Sequence, residues 1–145
     1  MQKINIVCVG KIKEEFYRAA VNEYLKRLSR FAKVEIKEIA EGRNLDEEAV
    51  NILHAAKGKI IALCIEGKKY SSEQLAAEVK GFCDMGEEFT FIIGSSYGLS
   101  QSVKTQSNLK LSFSDMTFPH QLMRIILLEQ LYRAFMINGG GVYHK

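Results

Sequence analysis

The chain has 145 residues, of which 47% are hydrophobic and 26% are charged, and its formal net charge is +3. This length and composition predict a single globular domain over residues 1–145, able to bury roughly 68–70% of the surface that the unfolded chain exposes, and they exclude a disordered or low-complexity protein. The small net charge neither requires nor excludes a nucleic-acid partner.

The amino terminus and the cysteines indicate the cellular compartment. The apolar run at residues 4–9 is too short for the core of a signal peptide, and no segment is suited to crossing a membrane. Cys8, Cys64 and Cys83 lie far apart without a Cys-x-x-Cys pair, so the sequence predicts neither a disulfide framework nor a metal site. We therefore expect a cytoplasmic protein.

Short apolar runs alternate with helical patterns along the chain. Strands are predicted at residues 4–9, 34–39, 59–65, 89–93 and 109–113. Helices are predicted at residues 16–31, about 46–57, about 72–84, 100–106 and about 120–137. Ser71 and Gln74 have the spacing of a capping box at the start of the third helix. The alternation predicts an α/β fold with a mostly parallel sheet and helices on both faces.

Three segments are expected to meet at the carboxyl edge of this sheet, where parallel sheets bind their ligands. They are residues 66–71, 94–100 and 114–119, each predicted as a loop that follows a strand. Gly94 and Gly98 frame the middle segment, and glycine lets a backbone approach a ligand closely, although an ordinary loop explains the pair equally well. The chain lacks the glycine patterns of dinucleotide and nucleoside triphosphate sites.

The last predicted helix is apolar around nearly its whole circumference. Such a helix must be buried on most sides, and the sheet of a small domain covers only one of them. We therefore predict a homodimer in which a second subunit covers another side, the alternative being a core helix sequestered within one chain.

Two arginines interrupt this helix. Glu129 and Arg133 have the i,i+4 spacing of an ion pair, whereas Arg124 has no acidic residue three or four positions away. Two interpretations of Arg124 stay open: an ion pair within the protein, or a contact with a carboxylate or phosphate from outside.

Three stretches of the chain carry a resemblance to a known family. They are INIVCVGKIK near the amino terminus, FIIGSSYGLS in the middle, and LSFSDMTFPHQLMRIILLEQLYRAFMINGGGVYHK at the end. Together they resemble the RlmH family of SPOUT-class methyltransferases, which modify N3 of a pseudouridine in large-subunit (23S) ribosomal RNA. The resemblance implies an α/β domain with a carboxyl-terminal trefoil knot, a homodimer packed through helices, and S-adenosylmethionine held in a bent shape by the knot loops.

Carried over position by position, the cofactor contacts of the family fall on the three segments expected at the sheet edge. They are Leu63, Gly94, Phe113, Ser114, Asp115, Met116, Thr117 and Phe118. Backbone groups and apolar surface are expected to hold most of the cofactor there.

The final residues are expected to receive the RNA. In the family they bend over a cofactor pocket, that of the partner subunit, and the resemblance implies that Gly139–Gly141 is a flexible approach. Tyr143 is expected to stack on the target base, and His144 to act as the catalytic base or as a hydrogen-bond partner. Lys145 or Arg124 is expected to contact phosphate or the negative charge that develops on the base.

Several points stay open at this level. Val142 and Lys145 stand where the family usually has proline and arginine, and lysine cannot make the planar, two-pronged contact of a guanidinium. His120, near the start of the last helix, is interpreted either as structural or as a functional group. A SPOUT enzyme with another RNA target and a non-catalytic RNA-binding dimer are the alternatives. A small dimer has little surface to specify one nucleotide, so the assembled ribosome is the expected substrate.

Overall fold

The structure is a computed structural model that describes residues 1–145, and it contains five strands and five helices in alternation. In chain order these are β1 Gln2–Val9, α1 Glu15–Leu28, β2 Ala32–Ile39, α2 Leu45–Ala55, β3 Lys59–Lys69, α3 Ser72–Asp84, β4 Phe89–Ile93, α4 Gln101–Gln106, β5 Leu109–Ser112 and α5 His120–Asn138. Each predicted strand and helix is present, and most bounds differ by only a few residues.

The five strands form one sheet in the order β2-β1-β4-β3-β5, and every neighbouring pair is parallel. β4 lies at the centre, and all of its residues, Phe89–Ile93, are buried. A continuous apolar run is what a strand covered on both faces requires. The predicted α/β fold with a parallel sheet is therefore confirmed.

Two separate apolar cores lie on the two faces of the sheet. In β1, Ile4, Ile6 and Cys8 point into the core that also contains buried residues of α1, α3 and α5. Val7 and Val9 point the other way, into the core formed with α2 and α4. Because successive side chains of a strand point to opposite faces, one apolar run supplies both cores.

β3 differs from the prediction at its carboxyl end. We expected a loop at residues 66–71, but β3 continues as a strand to Lys69. Its pairing with β5 shifts register between Leu63 and Lys68, which marks a β-bulge. A Cβ on Gly67 would lie 2.7 Å from the backbone of Lys110, so only glycine fits where the two strands come this close. The loop prediction was wrong because the polar residues after the bulge resemble a loop.

α3 begins with the predicted capping box. The Ser71 hydroxyl accepts a hydrogen bond from the backbone N–H of Gln74 at 3.1 Å, and the Gln74 side chain accepts one from the Ser71 N–H at 2.8 Å. Two N–H groups that a helix start would leave unpaired are thereby satisfied.

α5 is the longest helix, with 19 residues, which corresponds to a length of about 28 Å. The buried residues of α5 are Arg124, Leu127, Leu128, Leu131 and Ala134. The apolar ones pack in the core that α5 shares with α1 and α3. Apolar residues beside this face, such as Ile125 and Ile126, are only partly buried. The second subunit that would cover them stays a prediction, as does the trefoil knot. None of the helices combines the length and the apolar character needed to cross a membrane.

Candidate active site

A cleft of about 760 Å³ lies at the carboxyl edge of the sheet. Its walls come from the end of β3, the loop after β4, the segment between β5 and α5, and the first turn of α5. Parallel α/β sheets bind ligands at this edge, and the volume falls in the range of about 300–1,000 Å³ that small-molecule sites occupy. The predicted location of the site is thus the location of the main cleft.

Two glycines shape one wall of the cleft. A Cβ on Gly94 would lie 2.8 Å from the carbonyl carbon of Gly98 and 2.9 Å from a methyl group of Leu99. Gly98 has a φ of +87°, and its N–H donates to the Ser95 carbonyl at 2.9 Å. Both positions therefore require glycine, because one is too crowded for a side chain and the other has left-handed backbone geometry.

Seven of the eight predicted cofactor residues line this cleft. They are Leu63, Gly94, Phe113, Ser114, Met116, Thr117 and Phe118. The eighth, Asp115, is absent from the lining, and its carboxylate forms an ion pair with Lys69 instead. The structure therefore brings the predicted residues together with one exception, and their contact with the cofactor stays a prediction.

The structure adds residues to the cleft that were not among the predicted cofactor contacts. Cys64, Ile65 and Glu66 extend the wall along β3, and Glu66 forms an ion pair with Lys104 of α4 across the cleft margin. The hydrogen bond from Lys104 is the main reason why the pKa of Glu66 is lowered. Glu66 and Lys104 are far apart along the chain, so no local spacing could have indicated the pair.

Arg124 lies below the cleft and is completely buried. Its guanidinium donates from Nη1 to Glu38 at 2.6 Å and from Nη2 to the Gly10 carbonyl at 2.6 Å. Of the two interpretations, the ion pair within the chain is the one observed. The expectation that Arg124 contacts phosphate or an oxyanion is therefore corrected. Both terminal nitrogens of its guanidinium already have partners within the chain, and the side chain is buried.

The electrostatics of Glu38 follow from this pair. Partial burial acts to raise the pKa of the Glu38 carboxyl, but hydrogen bonds from Arg124 and from the Ile12 N–H outweigh burial, so its pKa is lowered. Glu38 therefore stays ionised and holds the loop after β1 against the start of α5.

The tail after α5 folds back along its own helix. The Tyr143 hydroxyl donates to Glu129 at 3.1 Å, its ring packs edge-on against Tyr132 with centroids 5.0 Å apart, and the Arg133 guanidinium lies 4.8 Å from its centroid. Burial and the hydrogen bond to Glu129 raise the pKa of the Tyr143 phenol. Tyr143 is thereby held neutral against α5.

Both ring nitrogens of His144 have partners. Nδ1 lies 3.0 Å from Nη1 of Arg133, and Nε2 lies 2.6 Å from Oε1 of Glu73 in α3. The predicted ion pair of Arg133 with Glu129 is present at 2.8 Å. The expected flexible approach is thus, in this structure, a docked segment held by α5 and α3.

The docked tail is distant from the cleft of its own chain. Arg133 lies 13 residues beyond His120, which corresponds to roughly 20 Å along the helix. No tail residue lines the cleft. The structure therefore does not bring Tyr143, His144 and Lys145 together with the predicted cofactor residues of the same chain.

A parallel α/β sheet with a glycine-walled cleft at its carboxyl edge, lined in part by the first turn of a long final helix, is an architecture in which enzymes bind small molecules. A family model described as predicted SPOUT methyltransferase matches residues 2–144. The chain therefore belongs to the SPOUT methyltransferase family, whose methyl donor is S-adenosylmethionine.

Two relatives of similar sequence are methyltransferases that are named for ribosomal RNA of the large subunit. The chain is 48% identical to the ribosomal RNA large subunit methyltransferase H of Bifidobacterium animalis subsp. lactis, over 98% of this chain and 99% of that one. It is 45% identical to the protein of the same name from Streptococcus gordonii, over 99% of each chain.

Among solved structures, a probable methylase family protein from Haemophilus influenzae Rd KW20 superposes with a TM-score of 0.55 at 11% sequence identity. The superposition covers 94% of this chain and 66% of that one. This likeness concerns the fold, which agrees with the family.

Proposed function

We propose that this protein transfers a methyl group from S-adenosylmethionine to N3 of a pseudouridine in 23S ribosomal RNA, with the assembled ribosome as substrate. The observation that carries the proposal is the cleft, which collects seven of the eight predicted cofactor residues at one sheet edge. The names of the full-length relatives support ribosomal RNA of the large subunit as the target. The resemblance of the carboxyl terminus supports the pseudouridine.

The residues of the cleft fit the cofactor. Leu63, Phe113 and Phe118 offer apolar surface, and the close approach of Gly94 to Gly98 shapes the turn that lines the cleft beside them. When bound, S-adenosylmethionine supplies a methyl group on a positively charged sulfur. A preformed cleft that holds this group in line with the attacking nitrogen accelerates a direct displacement by positioning.

The proposed reaction also requires a group that accepts one proton and a group that stabilises one negative charge. N3 of pseudouridine carries a weakly acidic hydrogen, and its removal places charge on the neighbouring carbonyl oxygens. A proton acceptor and a hydrogen-bond donor or cation near those oxygens are therefore needed. In the tail, Tyr143 offers an aromatic face for the base, His144 a hydrogen bond, and Lys145 a cation for phosphate.

A homodimer reconciles the cleft with the tail. Within one chain roughly 20 Å of α5 separates the docked tail from the cleft, so the tail serves a cleft by reaching that of a partner subunit. Partly buried apolar residues of α5, including Ile125 and Ile126, supply surface for packing two copies through helices.

The test is transfer of labelled methyl from S-adenosylmethionine to ribosomes that lack the modification, followed by mapping of the modified base. The full chain is compared with a chain that ends at Val142, and assembled ribosomes are compared with free 23S RNA. We expect transfer to a pseudouridine N3 by the full chain, on ribosomes only.

Each arm of the experiment tests one part of the proposal. Equal transfer by the shortened chain would contradict the role of the tail, and equal transfer to free RNA would contradict the ribosome as substrate. Binding of the cofactor without any transfer would contradict the enzyme and favour a non-catalytic RNA-binding dimer.

A further inference from the structure

Five titratable side chains line the cleft, and four of them are poorly suited to accept a proton. The list is Cys64, Glu66, Tyr97, Lys104 and His120. Burial raises the pKa of the Cys64 thiol, so it stays protonated. Glu66 and Lys104 neutralise each other in an ion pair, and Tyr97, 84% exposed, projects from the cleft mouth.

His120 packs against the loop after β1. Its ring packs over Gly10, where an added Cβ would lie 3.2 Å from the ring carbon Cε1. Gly10 has a φ of +96°, so the position requires glycine for its backbone geometry as well as for the space that the ring needs. The same residue uses its carbonyl to bind Arg124, one helical turn beyond His120.

The two ring nitrogens of His120 have different surroundings. Nδ1 is enclosed and has no hydrogen-bond partner. Nε2 is not enclosed, no side chain or backbone group of the chain binds it, and the residue faces the cleft. Nε2 is thus the ring nitrogen of this cleft residue that is free to meet a ligand.

The charges around His120 favour a neutral ring. Burial is the largest cause that lowers its pKa, and the positive charges of Arg124 in α5 and Lys13 in the loop after β1 act in the same direction. Glu41, in the loop after β2, acts in the opposite direction but is outweighed. Near neutral pH the ring therefore has a lone pair available.

We propose that Nε2 of His120 accepts the N3 proton of the target base. The inference rests on the proposed function and names a residue of this chain that performs one of its steps. In the tautomer of His120 that carries its hydrogen on Nδ1, the Nε2 lone pair takes the N3 hydrogen as the N3 electron pair forms a bond to the methyl carbon. The methyl–sulfur bond breaks, its electron pair stays on sulfur, and the imidazolium then releases the proton to water.

This assignment separates the roles of two histidines. In the docked tail His144 has both nitrogens engaged, by Arg133 and Glu73, whereas His120 is a residue of the cleft itself and has one nitrogen without a partner. His144 then keeps the hydrogen-bonding part of the role expected for it, and the proton goes to His120.

The test compares His120→Gln with the wild-type chain in single-turnover methyl transfer to ribosomes that lack the modification, between pH 5.5 and 8.5. Because an acceptor contributes about 100-fold or more, we expect at least that loss of rate, with cofactor affinity within twofold of wild type by calorimetry. The wild-type rate should rise with pH to a plateau near neutrality, and the variant should lack this rise.

Two further measurements separate a chemical role from a structural one. NMR titration of the His120 ring in the free protein should give the same midpoint as the pH–rate profile. Added imidazole should restore part of the rate that His120→Ala loses. It should leave the wild-type rate unchanged, because the wild-type chain already has its proton acceptor. The matched control is His54→Gln, an exposed histidine of α2 outside the cleft, which should keep the wild-type rate and profile.

The outcomes distinguish this inference from the function on which it rests. A His120→Gln rate within threefold of wild type with the same profile would overturn the inference alone. A cofactor affinity that falls as much as the rate would also overturn it, by making His120 a cofactor contact. No transfer by the wild-type chain would instead contradict the proposed function.

Discussion

The two arginines of α5 differ in what they connect. Arg124 is completely buried and binds partners 86 and 114 positions away in the chain, Glu38 and Gly10. The Arg133 side chain is 23% exposed and binds Glu129, four positions before it, and His144, eleven positions after it. Arg124 joins α5 to β2 and to the loop after β1, and Arg133 joins α5 to the tail.

This difference separates a fixed region from one that can rearrange. The contacts of Arg124 cannot be lost without moving the loop after β1 or the start of α5, so they form with the fold itself. The contacts of Arg133 with the tail involve few residues and partial exposure, which is typical of segments that open locally while the domain stays folded. We therefore expect the cleft to keep its shape, and the tail to exchange its partners when RNA or a second subunit binds.

The largest expected effect is on the free energy of unfolding. It appears when each arginine in turn is replaced by methionine and the two variants are compared. Arg124→Met should lower the free energy of unfolding by about 2 kcal/mol, because it leaves the buried Gly10 carbonyl without its donor, while the partly exposed Glu38 is hydrated instead. Arg133→Met should lower it by at most about 1 kcal/mol, since a partly exposed i,i+4 pair contributes little. Urea unfolding of the two variants measures both.

A double variant checks the mechanism of this first prediction. Arg124→Met combined with Glu38→Gln should cost less than the sum of the single changes, because each single change breaks the same pair. Equal losses for Arg124→Met and Arg133→Met would show that the two regions do not differ in the way described.

The second prediction tests whether the cleft is preformed. Gly94→Ala would place a methyl group 2.8 Å from the Gly98 carbonyl carbon, so the loop after β4 must shift. We expect the affinity for S-adenosylmethionine, measured by calorimetry, to fall by about tenfold, which corresponds to about 1.4 kcal/mol. The tail should keep its contacts with α5, which lie roughly 20 Å away.

Gly81→Ala is the matched control, because an added Cβ there meets nothing within 4 Å. Gly81 lies inside α3, where alanine is the better helix former, so this change should leave the cofactor affinity unaltered and slightly stabilise the fold. Unchanged affinity in Gly94→Ala would mean that the glycine is an ordinary loop residue.

The sequence predicted the parts of the molecule that depend on local patterns. Apolar runs such as Phe89–Ile93 mark buried strands, and helical periodicity marks the layers on either side. The position of the cleft followed from a general property, that the carboxyl ends of parallel strands collect the loops that bind ligands. Gly94 was already visible as a residue of that edge.

Features that depend on distant partners were not predictable from the residues. The partner of Arg124 is 86 positions away, and the continuation of β3 past Gly67 depends on how closely β5 approaches. Asp115 is absent from the cleft lining, and its carboxylate pairs with the distant residue Lys69 instead. The proposed role of the tail came only from the family resemblance, since the physics of a glycine-rich end favours fraying.

The smallest expected effect is on the pH dependence of stability, and it concerns Glu38, the carboxylate that pairs with Arg124. The pKa of Glu38 in the folded protein lies below its ordinary value of 4.5, so folding favours the ionised carboxylate. The stabilisation is complete above that ordinary value and is lost as the pH falls through the lowered pKa. Glu38→Gln should therefore flatten the acid limb of stability, measured by urea unfolding from pH 3 to 6. Glu14→Gln, which removes an exposed carboxylate that makes no hydrogen bond, should leave the limb as steep as in the wild type. Equal flattening in the two variants would assign the acid response to general charge, and the Arg124 pair would then contribute nothing specific to it.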